Sequence, residues 1–255
     1  MTADAFEAVT FDFWDTLVRA DPVSTRRARS ERMHAVLHHH GLYVEAEVLD
    51  DAFDRAVAAF DRRWAANEQF RGEHAAAVVL DRLEIPVTHP AHLDLVLAFV
   101  EAPEGLAHDL APGIVEVLDE LGRAGIHVGI VCDVGLTPSP VLRSYLEAHG
   151  VLERFDHWSF SDEVGIYKPA PAIFEHALAG LGVDDPRRAL HVGDLRRTDV
   201  AGARDMGMVS VRYRGLRDDH PGASPGDGVL ADADHVLDDH RELLALLGLA
   251  SDRRP

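Results

Sequence analysis

The sequence predicts an α/β protein in which a Rossmann-like, doubly wound parallel sheet carries an inserted all-helical domain. Two patterns lead to this fold class. After Pro103, short apolar runs typical of buried strands alternate with amphipathic helical patterns, which is the order of elements in a parallel sheet covered by helices. Before that point, a single strand at 8–11 is followed by a long stretch with helical spacing alone.

The first strand, 8–11, ends directly before Asp12, and residues 24–101 then carry three or four helices. Breaks between these helices are expected at Gly41, Gly72 and Pro86, because glycine and proline interrupt helical runs. In the last helix, the apolar side is expected to consist of Leu93, Val96, Leu97 and Val100.

The remaining elements alternate along the chain. Further strands are expected at 127–132, 158–160, 189–192, 208–211 and 234–237, and helices at 114–121, 141–146, 173–181, from about Thr198, and at 242–249; 214–233 is expected to be a loop. The chain thus divides into a Rossmann-like core at 1–19 and 106–255 and a helical cap domain at 20–105. Because ligands bind at the carboxyl ends of parallel strands, a domain inserted after the first strand is expected to cover the site.

Composition excludes several classes of partner. Asp and Glu number 44 and Lys and Arg 25, for a net charge of −19, which speaks against a nucleic-acid or anionic-membrane partner. A small anionic substrate remains possible, because one buried cation or a metal can hold it. A single cysteine allows no internal disulfide, and no apolar run is long enough for a signal peptide or a membrane span. We therefore expect a cytoplasmic protein.

Chemistry-bearing side chains follow the strand ends. Asp12, Asp133 and Asp194 come directly after expected strands, Asp199 lies shortly beyond, and Lys168, the one lysine of the sequence, follows another strand. Carboxylates at one sheet edge repel one another and raise each other's pKa values. A divalent cation removes this repulsion, and hard oxygen ligands without a His or Cys pair at ligand spacing favour Mg²⁺ over Zn²⁺.

Four motifs in order resemble those of the haloacid dehalogenase-like hydrolase superfamily, in the subgroup whose helical cap follows the first motif. They are the run from Asp12 to Thr16 (DFWDT), the strand end Val131-Cys132-Asp133, the pair Lys168-Pro169, and Gly193-Asp194 followed by Asp199. The resemblance covers nearly the whole chain. It implies a hydrolase in which Asp12 attacks a phosphoryl group and forms an aspartyl-phosphate.

The resemblance also implies the other roles. Mg²⁺ would be held by the Asp12 carboxylate, the Trp14 backbone carbonyl and Asp194, and Lys168 would supply the second positive charge. The residues expected to bind substrate phosphate or hold the adjoining loops are Thr16, Cys132 and Asp133, with Asp15 and Asp199 in supporting positions, Asp199 orienting metal-bound water or Lys168.

Two positions depart from the family pattern. Trp14 stands where family phosphatases have an Asp that protonates the leaving group, and an indole cannot shuttle a proton near neutral pH. Asp15 or Asp133 could take over that role, the substrate could have a good leaving group, or the activity could be weak. Cys132 stands where Ser or Thr usually binds phosphate, and a thiol is a poorer donor.

The sequence therefore predicts a Mg²⁺-dependent phosphatase acting on a small phosphorylated metabolite. One alternative is a 2-haloacid dehalogenase, since such relatives have an aromatic residue at the position of Trp14 and need neither a leaving-group acid nor a metal. They lack the Gly193-Asp194 pattern, which ranks this alternative second. The other is a catalytically weak binding protein on the same scaffold. The substrate and the choice between monomer and dimer stay open.

Overall fold

A computed structural model describes residues 6–101, 108–219 and 231–249. They form two compact units, one within Met1–Ala20, His108–Asp133 and Leu146–Pro255, the other within Asp21–Ala107 and Val134–Tyr145. The second unit thus includes 134–145, which the sequence assigned to the core, because Leu136 and Thr137 accept hydrogen bonds from Arg29 of that unit. The predicted domain boundary at 105/106 lies outside the described residues, as does most of the predicted loop 214–233.

The second unit is helical, as the sequence predicts. Its helices are α1 (Pro22–His39), α2 (Ala46–Ala65), α3 (Gly72–Arg82) and α4 (His92–Val100). The first begins where the Asp21 carboxylate accepts the N–H of Ser24, which satisfies a free donor of the first turn. The core of the unit contains Met33, Leu37, Leu49, Phe53, Leu80, Leu95 and Phe99.

The apolar side expected for α4 is wrong in part. Leu93 and Leu97 are exposed, whereas the helix buries Leu95, Ala98, Phe99 and Val100. Almost every position of this helix is apolar, so spacing alone could not select the buried side. Packing against α1 and α3 selects it instead.

The sheet of the first unit has six parallel strands. These are β1 (Ala8–Phe11), β2 (His127–Cys132), β3 (His157–Phe160), β4 (Ala189–Gly193), β5 (Val209–Tyr213) and β6 (His235–Leu237), in the order β3-β2-β1-β4-β5-β6. Strand β1 lies between β2 and β4, with Phe11 in register with Ile130 and Val192. The residues that follow these three strands therefore meet at one edge, and the predicted fold class is confirmed.

Helices α5 (Ile114–Arg123), α7 (Ser161–Val164), α8 (Pro171–Gly180), α9 (Ala201–Asp205) and α10 (Glu242–Leu247) belong to the first unit, and α6 (Ser139–Ala148) crosses the division. Helix α5 buries Ile114, Val117, Leu118 and Leu121. The helix expected from Thr198 is preceded by a π-helical turn at Arg196–Val200. Strand β5 extends two residues beyond the expected end. The added residue Arg212 can lie in a buried strand because its charge is paired with Asp218 and Asp232.

In the part of the chain that the structure describes, no helix has the length and apolar character that crossing a membrane requires. Cys132 is a free, buried thiol. The cytoplasmic location stays a prediction.

Close packing between α8 and α9 gives a test of the core. A Cβ added at Gly202 would lie 2.3 Å from Cε2 of Phe174, whereas one added at Gly122 in α5 would meet nothing within 4 Å. We expect Gly202→Ala to lower the free energy of unfolding by about 1–3 kcal/mol through overpacking. Gly122→Ala, the matched control, should raise it by about 0.4–1 kcal/mol. Urea denaturation of both variants measures this, and equal effects would contradict the packing described.

Candidate active site

Lys168 lies at the centre of a buried polar cluster at the carboxyl edge of the sheet. Its Nζ donates to Asp12 Oδ1 at 2.5 Å, to Asp199 Oδ1 at 2.6 Å and to the carbonyl of Val131 at 2.9 Å. These bonds account for the three protons of the ammonium group, and the residue is only 2% exposed. The lysine is therefore fixed in position by both charge and geometry.

Three buried carboxylates lie together at this edge of the sheet. Asp12, Asp194 and Asp199 are buried, and one oxygen from each lies within 4.8 Å of the others. Asp12 follows β1, where its N–H donates to the carbonyl of Val192 at 2.8 Å, and Asp194 follows β4. Asp199 comes from the π-helical turn. The structure thus brings together four of the five residues that the sequence placed at or shortly after strand ends, namely Asp12, Lys168, Asp194 and Asp199.

The cluster has more negative charge than its lysine can balance. Burial, assisted by the charge of Asp199, raises the pKa of Asp12 to about 7 even though Lys168 opposes this. Burial and the charge of Asp12 raise the pKa of Asp194 well above its usual range. Lys168 keeps its proton, because although its burial lowers its pKa, Asp12 and Asp199 raise it well above the usual value.

Asp199 behaves differently from the other two carboxylates. Burial alone would raise its pKa, but Lys168 and His191 lower it below the usual range. Its Oδ1 contacts Lys168 Nζ and, at 3.1 Å, His191 Nε2, and its Oδ2 accepts the N–H of Leu195 at 2.9 Å. Both oxygens are thus occupied by donors, so Asp199 holds Lys168 in place.

The remaining carboxylates fit a divalent cation. Asp12 and Asp194 carry hard oxygen ligands and lie close together in a buried site, where burial and neighbouring carboxylates raise their pKa values. A divalent cation is the group that this donor set lacks, since it would supply two positive charges to oxygen ligands.

Sequence reasoning missed His191, which extends the cluster into the sheet. Burial lowers the pKa of this imidazole, so it is neutral, with Nε2–H donating to Asp199. Its Nδ1 then accepts from the Thr10 hydroxyl at 2.9 Å. The signal was a histidine in the middle of a buried strand, which by itself is also typical of a packed core residue.

Gly193 permits the closest approach in the site. A Cβ at this position would lie 2.2 Å from Cγ of Asp199, so any other residue would displace that carboxylate. The Gly-Asp pair at the end of β4 therefore contributes in two ways. Gly193 leaves space for the Asp199 side chain, and Asp194 places its carboxylate near those of Asp12 and Asp199.

The comparison with known families now decides the assignment. The sequence profile of the haloacid dehalogenase-like hydrolases matches residues 6–207. The chain belongs to this family. The family and the enzyme class that the four motifs predict, a hydrolase, are therefore confirmed.

Individual relatives of this haloacid dehalogenase-like hydrolase differ in name. Glyceraldehyde 3-phosphate phosphatase of Pyrococcus abyssi is 27% identical over 212 residues, 82% of this chain and 81% of that protein. Phosphoserine phosphatase of Thermus thermophilus is 44% identical over 119 residues, 46% of each chain. The solved 2-haloacid dehalogenase of Pseudomonas syringae has a TM-score of 0.65 at 21% identity, over 95% of this chain and 98% of that one. This last likeness shows the fold alone.

Trp14, the departure from the phosphatase pattern, is held among aromatic rings. Its ring is edge-on to Phe13, with 5.1 Å between centroids, and to His108, at 5.2 Å. An isolated bridge pairs the residue with Val18. The indole thus packs into the loop after β1 and offers no carboxylate there.

Asp15 and Asp133, the predicted substitutes for the missing acid, are both engaged in local structure. Asp15 Oδ1 accepts the N–H of Ala20 at 3.0 Å, and its Oδ2 lies 3.7 Å from Nη1 of Arg217. Asp133 Oδ1 accepts the N–H of Lys168 at 2.8 Å. Each carboxylate therefore shapes a loop of the site.

Thr16 and Cys132, which were predicted to contact substrate phosphate, are fully enclosed. The carbonyl of Thr16 accepts Nε2–H of His240 at 2.8 Å, while its hydroxyl has no partner among the described residues. Burial raises the pKa of the Cys132 thiol well above its usual value, so the thiol is neutral. Their roles toward substrate stay predictions.

The raised pKa of Asp12 has a consequence for stability in the absence of metal. As the pH rises above 3.8, the unfolded chain loses this proton first, whereas the folded chain keeps it up to about pH 7. The free energy of unfolding therefore falls across this interval. Asp12→Asn removes that loss, so in EDTA we expect the variant to be more stable than wild type at about pH 8, on the order of 2–4 kcal/mol.

The advantage of Asp12→Asn should shrink toward about pH 4, where Asp12 is neutral in both states. Urea denaturation across the pH range measures it. Asp205→Asn, which changes an exposed carboxylate at the end of α9, is the control and should show no such trend. A difference between Asp12→Asn and wild type that does not vary with pH would contradict the electrostatics described.

Proposed function

We propose that this hydrolase is a Mg²⁺-dependent phosphatase that acts on a small phosphorylated metabolite through an aspartyl-phosphate at Asp12. The observation that carries this proposal is the contact of Lys168 Nζ with Asp12 and Asp199 beside Asp194. Two of the relatives named above are phosphatases of small phosphorylated molecules.

Asp12 is the nucleophile in this proposal. One carboxylate oxygen bonds to phosphorus while the bond from phosphorus to the leaving oxygen breaks, and that oxygen keeps the electron pair. Water then attacks the same phosphorus, releasing phosphate and restoring the carboxylate. Asp12, the Trp14 carbonyl and Asp194 would hold Mg²⁺, which would supply the positive charge that keeps Asp12 ionised and screens it from the phosphoryl group.

Lys168 orients Asp12 and neutralises part of the charge that gathers during transfer. Its ammonium group already contacts Oδ1 of Asp12, so only the other oxygen is without a side-chain donor and available for attack. Asp199 and His191 keep Lys168 in this position, since the carboxylate accepts from both. Such preorganisation removes the need to reorient charge during the reaction.

Protonation of the leaving group is the step for which the site supplies no evident acid. Trp14 has no group that can give up a proton near neutral pH, and Asp15 and Asp133 already accept backbone N–H groups. General acid–base catalysis contributes about 10²–10⁴ in rate. We therefore propose that the substrate has a leaving group that departs without a proton, as acyl phosphates, anhydrides and enol phosphates do.

One observation favours a second candidate. An aromatic residue after the nucleophile suits a 2-haloacid dehalogenase, because a halide leaves unprotonated. Metal-independent release of chloride from 2-chloropropionate would support this function. The raised pKa values of Asp12 and Asp194 favour the phosphatase instead. Bound metal would keep these carboxylates ionised, whereas a dehalogenase that works without metal would have to ionise its nucleophile without that charge.

Turnover of an aryl phosphate tests the proposed function. We expect hydrolysis that requires Mg²⁺, stops with EDTA, and falls by at least roughly 10³-fold in Asp12→Asn. Mg²⁺ at about 100 times its Kd should stabilise wild type by about 2.7 kcal/mol and Asp194→Asn by much less. Asp205→Asn should match wild type in both measurements. No turnover of phosphate esters, together with no stabilisation by Mg²⁺, would contradict the proposal and favour a binding protein.

The missing acid leads to a separate prediction at position 14. Trp14→Asp should raise the turnover of alkyl phosphates, whose leaving groups need a proton, by up to about 10²–10⁴-fold, and that of aryl phosphates less. Trp14→Phe, which restores no acid, is the matched control. In wild type, the phosphorylated form of Asp12 should accumulate and be visible by mass spectrometry after rapid quenching. Equal turnover in the two variants would contradict the role assigned to the missing acid.

A further inference from the structure

The helical unit contains a buried arginine that the proposed chemistry does not use. Arg29 of α1 is 6% exposed, and its Nε donates to the carbonyl of Phe99 at 2.9 Å. Its Nη2 donates to the carbonyl of Leu136 at 3.0 Å and to Thr137 Oγ1 at 2.8 Å. The guanidinium carbon lies 5.2 Å from the centroid of the Phe99 ring.

Arg29 lacks the carboxylate that other buried arginines have. Arg212 lies 2.6 Å from Asp218 and 2.7 Å from Asp232, and Arg196 lies 3.2 Å from Asp232. Among the residues that the structure describes, Arg29 forms no ion pair. Burial lowers its pKa to about 10, so it stays charged at neutral pH. A buried charge without a counter-ion is rare in a protein, and here the chain as a whole is strongly acidic.

Several donors at this place remain unused. Three of the five N–H protons of Arg29 have acceptors, whereas the two on Nη1 have none within the described ranges. The described residues do not fully enclose Nη1, so a ligand can reach it. Because Thr137 Oγ1 accepts from Arg29, its own proton is available to donate. One positive charge and three donors thus meet without an acceptor.

We propose that Arg29 and Thr137 bind a small carboxylate. A carboxylate is a monoanion that matches the single charge of Arg29, and its oxygens accept the free protons of Nη1 and Thr137. Phosphate, which carries more than one negative charge at neutral pH, would leave negative charge in excess. The carboxylate is that of a small organic acid bound within the helical unit.

A purely structural role for Arg29 makes a different prediction. The carbonyl of Phe99 lies in the last turn of α4, where the helix dipole is negative and partly compensates the guanidinium. Arg29 would then only join α1, α4 and the segment at 136–137. In that case its replacement would lower stability and leave carboxylate binding unchanged.

Calorimetric titration of the full chain with D-glycerate, glycerol and inorganic phosphate tests binding. We expect glycerate to bind wild type better than glycerol or phosphate, at least ~10-fold more weakly to Arg29→Met, and about 3- to 10-fold more weakly to Thr137→Val. Arg26→Met is the matched control, since Arg26 lies one turn earlier in α1, over the Phe53 ring, and is paired with Asp50 and Asp54. It should bind like wild type. If Arg29→Met does not fold, Thr137→Val and Arg29→Lys decide.

Calorimetry decides on the carboxylate site independently of the proposed phosphatase activity. The site is overturned if glycerate binds no better than glycerol, or if phosphate rather than glycerate is the anion whose binding Arg29→Met loses.

Discussion

The contact between Lys168 and the carboxylates of Asp12 and Asp199 is the constraint on which the site depends. It joins three connections of the first unit, after β1, before α8 and after β4, through one ammonium group with no proton to spare. An arginine has no way to reproduce three bonds that converge on a single nitrogen. This explains why lysine occurs here in a chain whose other basic residues are all arginine.

The site contains more negative charge than Lys168 balances, and this excess determines which chemistry the site suits. Three buried carboxylates and one ammonium group leave the site short of positive charge. Asp199 gives both oxygens to donors and stabilises the arrangement, whereas Asp12 and Asp194 have raised pKa values. A single cluster therefore contains one carboxylate that serves structure and two that are suited to a cation and to covalent chemistry.

The sequence predicted what depends on periodicity and on strand ends. Asp12 and Asp194 could be placed at one edge, because strands β1 and β4 have clear apolar runs and parallel strands share an edge. Contacts distant in sequence could not be predicted in this way. The role of His191 depends on Asp199 and Thr10, the membership of 134–145 depends on Arg29, and the buried side of α4 depends on its neighbours.

The burial of the only lysine has a practical consequence. A reagent that modifies amines has only one lysine side chain to react with in this chain, and that amine is enclosed by two carboxylates and a carbonyl. Its rate of modification therefore reports how often the centre of the enzyme opens to solvent. A ligand that holds the centre closed would slow this labelling, so the protein contains its own probe of local opening.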